Sequence, residues 1–100
     1  MSEWIFFMHP PRDDFIPTMS EAERAAFDAH AVWLRELLAT GALIAAGPCL
    51  GRVNTGIAIF EAGGEDEARR IVADEPVTAG GHMRGELRPY RLGLLRGRDG

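Results

Sequence analysis

Glu3-Trp4-Ile5-Phe6-Phe7-Met8 is the stretch on which the fold turns: a run dense in aromatic and β-branched side chains, stopped by His9-Pro10-Pro11. Such a run, closed by a proline turn, reads as a β-strand. A strand with one wet face carries a polar residue at every second position. Here Trp4, Phe6 and Met8 point one way and Ile5 and Phe7 the other, so neither side is polar. Residues 55–61 repeat the pattern, with Ile57 and Ile59 opposite Ala58 and Phe60. Both faces of the sheet are therefore expected to be covered.

Working outward, a loop over residues 12–19 leads to Ser20, which with Glu23 forms a capping box, and Gly41 marks the far end of a helix over 21–40. Residues 43–46, running up to Gly47-Pro48, form a short second strand; 51–54 turn the chain and 55–61 return as a third, the two pairing as a hairpin. Gly63-Gly64 breaks that strand. Glu65-Asp66-Glu67 then places negative charge on the first turn of a second helix, which the approach of Pro76 ends at about residue 74. Residues 83–95 supply the last strand, with Pro89 marking an edge position or a bulge. The order β-α-β-β-α-β is that of the ferredoxin-like α+β sandwich: a four-stranded antiparallel sheet with two helices on one face. Two helices cover one face only. The other calls for a second copy, making a homodimer, unless it is simply a greasy outer surface.

Composition fits this frame. One hundred residues suit a single domain, 1–100, with a core over about 3–95 and a C-terminal tail over 96–100. No stretch approaches the roughly 20 apolar residues of a membrane span, and no secretory signal opens the chain, so a cytoplasmic location without membrane attachment is expected. A net charge of −4 argues against nucleic acid as partner. All eleven basic residues are arginine, which excludes lysine Schiff-base chemistry. Arg88, Arg91, Arg96 and Arg98 cluster near the C-terminus and read as a solvated edge and tail. Cys49 stands alone, so it can form neither an internal disulfide nor a cysteine-based metal site, and it reads as a small apolar filler.

The candidate chemistry centres on His30. On a helical wheel Ala22, Ala26, Phe27, Ala29, Trp33, Leu34 and Leu37 form one stripe with His30 near its middle, while Arg24, Asp28 and Arg35 lie opposite. An imidazole there needs a hydrogen-bond partner or costs about 1–3 kcal/mol. On the second helix Ala68, Ile71 and Val72 form the inward stripe, and the next position of that stripe is Glu75; Asp74 is rotated away by one residue, and either carboxylate could serve. A histidine held by a carboxylate is the smallest unit of acid–base catalysis, although a histidine on an apolar face is also compatible with a purely structural role. His9 and His82 sit at strand ends that this topology can bring together, but no compact ligand spacing or acidic cluster accompanies them, and no metal is expected. The acidic run after Gly63-Gly64 argues against phosphate binding, and with Ser20 used as a cap a serine hydrolase is disfavoured.

His30 with Trp33-Leu34 and Leu37-Leu38, Gly41-Ala42-Leu43, Ala46-Gly47-Pro48, Gly56 through Glu61, Glu67-Ala68-Arg69, a carboxylate–proline step, and Glu86-Leu87-Arg88-Pro89-Tyr90 together resemble the YCII-related (YciI-like) family over nearly the whole chain. The resemblance implies a dimeric α+β barrel. It also implies an active-site pair of a histidine on the first long helix and an aspartate just before the proline after the second. His30 matches; the residue before Pro76 is Glu75, with Asp74 ahead of it. Wider relatives resemble lactone isomerases, dehydrohalogenases, monooxygenases and heme-handling proteins, which is kinship of fold. The expectation is a small-molecule enzyme without cofactor, doing isomerase, lyase or lactone-type chemistry, with Met8, Trp33 and Pro48 as pocket walls and His9 and His82 as further ligand contacts. The alternative is a non-catalytic small-molecule-binding or regulatory dimer.

Overall fold

A computed structural model describes residues 1–97; Arg98 and the remainder of the expected tail lie outside the described residues. The elements are β1 (Ser2–His9), α1 (Glu21–Ala39), β2 (Leu43–Pro48), β3 (Gly56–Ala62), α2 (Glu65–Ala73), α3 (Pro76–Ala79) and β4 (Arg84–Tyr90), with a 3₁₀ turn at Ile16–Thr18. The strands form one antiparallel sheet in the order β2-β3-β1-β4. This is the ferredoxin-like α+β architecture. No helix among the described residues is long and apolar enough to cross a membrane.

The two faces divide as the strand pattern demands. Trp4 lies opposite Phe60 and Phe6 opposite Ala58, and all four are buried against the helices together with Met8, Ala62, Ala68 and Val77. Ile5 pairs with Ile59 and Phe7 with Ile57 on the other face, where they are only half-buried. The helical stripe is narrower than its wheel: Trp33 is buried and Ala26, Phe27 and Leu34 pack on the core, but Ala22 and Ala29 are exposed. Cys49 is exposed as well, not a core filler.

Two elements depart from expectation for physical reasons, and Pro89 falls on an edge strand as expected. The last strand stops at Tyr90, not 95, because Tyr90 already lies opposite Glu3 and β1 has only Ser2 left to offer. Pro89 is accommodated because β4 is an edge strand, where a missing N–H breaks no central ladder. A third helix, α3, follows α2 in a stretch to which the sequence assigns no element.

The 12–19 loop is a structured plug. Phe15 is fully buried beside Phe27, with ring centroids 5.8 Å apart, and the Arg12 guanidinium lies 4.8 Å from the Phe15 ring centre. Arg12 also donates to both carboxylate oxygens of Glu23, at 2.9 and 2.8 Å. Glu23 completes the Ser20 capping box at the start of α1. That arginine, with the Ser20 backbone N–H, holds the Glu23 carboxyl down at about 2.

Gly85 is a steric requirement of this packing: a Cβ there would sit 2.7 Å from Cζ of the buried Phe6 ring. Gly85→Ala is expected to lower stability by about 1–3 kcal/mol through overpacking, read from the denaturation midpoint at unchanged slope.

Candidate active site

The site begins with a proline. Residues preceding proline avoid the α conformation, so α2 ends at Ala73 with Asp74 as its cap, and Glu75 is extended at φ −70°, ψ 120°. Pro76 then starts α3 at the position where its missing N–H costs nothing, making Glu75 the N-cap. The Glu75 carboxylate folds back over that end. Its Oε2 accepts from the Val77 N–H at 2.9 Å, and its Oε1 from the Thr78 N–H at 2.7 Å and the Thr78 hydroxyl at 2.9 Å.

The fourth donor is His30, whose Nδ1 lies 2.8 Å from Glu75 Oε2. Glu75 is fully buried, yet the expected inward position arises from the cap of α3, not from a continued α2 stripe. Burial alone would push its carboxyl up. The bonds from His30, then from Val77 and Thr78, outweigh that and hold it below the ordinary carboxylate value. An ionised carboxylate can only accept, so Nδ1 carries the hydrogen and Nε2 of a neutral ring is left with a free lone pair. The ring is held between Phe27, edge-on at 5.5 Å, and Trp33, stacked at 5.8 Å, with 14% of the side chain exposed.

His30 lines a cavity of about 290 Å³ between the sheet and α1. Met8, Pro48, Gly56 and Ala58 form its sheet side, Phe27 and Leu34 flank His30 on the helix, and Ile16, Met19, Asn54 and Met83 come from connecting segments. Asn54, the chain's only asparagine, is buried and fully employed. Its Oδ1 accepts from the Ile16 N–H at 3.0 Å, and its Nδ2 donates to the carbonyls of Cys49 at 3.1 Å and Gly51 at 3.0 Å. It thereby ties two loops together at the cavity wall.

Of the residues singled out from sequence, His30, Met8 and Pro48 meet at this cavity and Glu75 stands behind His30. Asp74 does not reach the histidine. With Trp33 it lines a separate depression of about 360 Å³ between α1 and the segment after α2, and the Trp33 Nε1–H is spent on the Ile71 carbonyl at 3.2 Å. His9 and His82 flank another depression at the end of the sheet, and His9 Nε2 is bonded to Glu86 Oε1 at 2.8 Å. Sequence reading missed Phe27 as a cavity wall, having placed it in the core stripe, and missed Met19, Asn54 and Met83. A lone asparagine between Gly51 and Gly56 was the one available signal.

Glu75→Gln is expected to destabilise the fold by about 1–3 kcal/mol, because an amide nitrogen must face N–H donors. Since the native carboxyl is depressed, its contribution is complete above the ordinary carboxylate value and is lost as pH falls through the lower native one. The stability gap between wild type and Glu75→Gln should therefore shrink on acidification, as measured by denaturation at a series of pH values.

A family model described as the YCII-related domain matches residues 4–89. Among solved structures, 5-chloro-2-hydroxyhydroquinone dehydrochlorinase (TftG) from Burkholderia phenoliruptrix AC1100, in complex with 2,5-dihydroxybenzoquinone, is similar with a TM-score of 0.64. The identity is 22%, and the alignment covers 89% of this chain and 95% of that one. That likeness is one of fold. No curated protein matches the chain. The family match runs from Trp4 in β1 to Pro89 in β4 and takes in every helix and strand that builds the cavity, and the chain belongs to the YCII-related family.

Proposed function

We propose that the chain is a small-molecule enzyme in which His30 moves a proton on a ligand held in the 290 Å³ cavity, with Glu75 as its orienting carboxylate. The observation that carries this reading is the 2.8 Å Glu75–His30 bond, which commits Nδ1 and leaves Nε2 as the ring nitrogen for a ligand. As base, Nε2 takes a proton from a carbon or hydroxyl of the substrate, and the imidazolium so formed lies against a carboxylate already ionised. In an elimination the electron pair of the broken bond forms a new double bond as the leaving group departs with its own pair. In an isomerisation the same proton returns to another atom. No cofactor is needed for either step.

The similar dehydrochlorinase favours elimination among these classes, since removal of hydrogen chloride is base-assisted proton loss coupled to departure of chloride. Chloride release from 5-chloro-2-hydroxyhydroquinone is the direct assay. Turnover by the wild type and a loss of about 10²-fold or more in His30→Ala, with the melting temperature within a few degrees, is the expected result. Unchanged turnover in that variant, or its unfolding, would remove His30 from the chemistry. Binding without turnover would identify a sensing module instead.

The working unit in this reading is a homodimer. Ile5, Phe7, Ile57 and Ile59 form an apolar stripe along the sheet face opposite the helices, and a second copy meeting it face to face would bury it. Light scattering at micromolar concentration should give about twice the 10.9 kDa chain mass. Ile59→Arg should shift it to monomer, whereas a monomeric wild type would sink the idea.

A further inference from the structure

Two corners of the sheet carry exposed apolar side chains, and the strand register places them. β4 ends at Tyr90, opposite Glu3 at the start of β1. The turn between β2 and β3 lies at the other end, where Pro48 pairs with Gly56 and Gly56 with Met8. β4 and β2 are also the two opposite edges of the sheet. The segment after Tyr90 and the 49–55 turn therefore leave from diagonal corners.

The first of these segments is held on the face away from the helices. The Leu92 N–H donates to the Glu3 carboxylate at 3.1 Å, and by strand alternation Glu3 shares the face of Ile5 and Phe7. Past that anchor Leu94 is 96% exposed and Leu95 47%, between Arg91 and Arg96. The opposite corner exposes Leu50 by 82% and Val53 by 50%. Asp13 and Asp14 stand beside it, joined to the turn by the 2.7 Å bond from the Asp14 N–H to the Arg52 carbonyl. Arg52 offsets one of the two charges through a 3.3 Å contact with Asp13. One corner is thus apolar and cationic, the other apolar with a net negative charge.

Within one chain the two corners cannot meet. The strands separate them by roughly 20 Å, and Leu94 reaches only about 7 Å beyond its anchor at Leu92. Two copies can bring them together. When two sheets pack face to face, their two-fold axis lies in the plane of the interface. An axis along the strands, or straight across them, sets each arm over a corner of the partner other than the turn. An axis along the remaining diagonal, with the strands of the two sheets crossing at about 90°, sets each arm on the partner's turn, twice over by symmetry.

We propose that the segment after Tyr90 is an exchanged arm. Leu94 and Leu95 of each copy pack on Leu50 and Val53 of the second copy, with Arg91 and Arg96 toward its Asp13 and Asp14. The covered turn runs between Pro48 and Asn54, both of which line the His30 cavity. Each chain thereby braces a loop of the other's site. The inference rests on the homodimer reading and adds to it the crossing of the sheets and this contribution in trans.

Cys49, exposed beside Leu50 and the chain's only cysteine, serves as the probe. Leu94→Cys in the otherwise intact chain is treated with a short bis-maleimide and run on a denaturing gel. We expect the major fraction to become covalent dimer, with peptides joined through positions 49 and 94. Wild type and Leu94→Cys/Cys49→Ser should give none, because the symmetry keeps each position far from its own copy. Leu94→Asp/Leu95→Asp should weaken dimerisation by about tenfold or more, measured by light scattering on dilution. A dimer with no 49–94 link, with 49–49 or 94–94 links instead, or with an unchanged dissociation constant in the aspartate variant overturns the arm and leaves the dimer standing. A monomeric wild type overturns both.

Discussion

The structure is organised around one buried carboxylate. Glu75 has no exposed surface, and a charge in that position is tolerable only when every lone pair is used. Here the four acceptor sites are met by two backbone N–H groups, one hydroxyl and one imidazole. Two of these donors exist because α3 begins directly after it, and α3 begins there because Pro76 forbids α2 to continue. The same carboxylate fixes which nitrogen of His30 bears hydrogen. Helix termination, core electrostatics and the chemical state of the histidine are thus one arrangement, and none of the three can be altered alone.

Around this pair the cavity is made by omission and by ties. Glycine and alanine at positions 56 and 58 leave room above the sheet that larger residues would fill, as Phe60 does one step along the same face. The walls on the open side are loops, which need holding. Asn54 supplies this by bonding the 3₁₀ turn on one side and the 49–51 turn on the other, and the Asp14 N–H to Arg52 carbonyl bond of 2.7 Å adds a second link. Phe15, buried under Arg12, anchors the same loop to the helix. The polar side chains bordering the cavity are therefore committed to structure, with the exception of one imidazole nitrogen.

The other sheet face obeys a different constraint. Its central strands carry isoleucine and phenylalanine, while β4 sets Arg84, Glu86 and Arg88 opposite His9, Phe7 and Ile5. An apolar stripe bordered by a charged edge discourages growth of the sheet by edge-to-edge pairing while leaving the face itself able to bury area.

Much of this was legible in the residues. The two-sided apolar pattern of Glu3–Met8, the Ser20–Glu23 box and the glycine and proline punctuation determine the order of elements and hence the fold, because helix caps and strand periodicity are local properties. The same reading placed His30 on an inward helical face and looked to residues 74 and 75 for its partner. It could not choose between them by a sound route, since its helical wheel assumed an α2 that in fact stops at Ala73. Nor could it see that Trp33 and Asp74 border a different depression, or that Met19, Asn54 and Met83 converge on His30. Those outcomes depend on where segments about ten to fifty residues apart come to rest, which is decided by packing of the whole core and leaves no trace in local spacing. The sequence by itself determined the order of the four strands and the two longer helices, and the histidine; the tertiary structure alone decided α3, which carboxylate holds the histidine and what surrounds its free nitrogen.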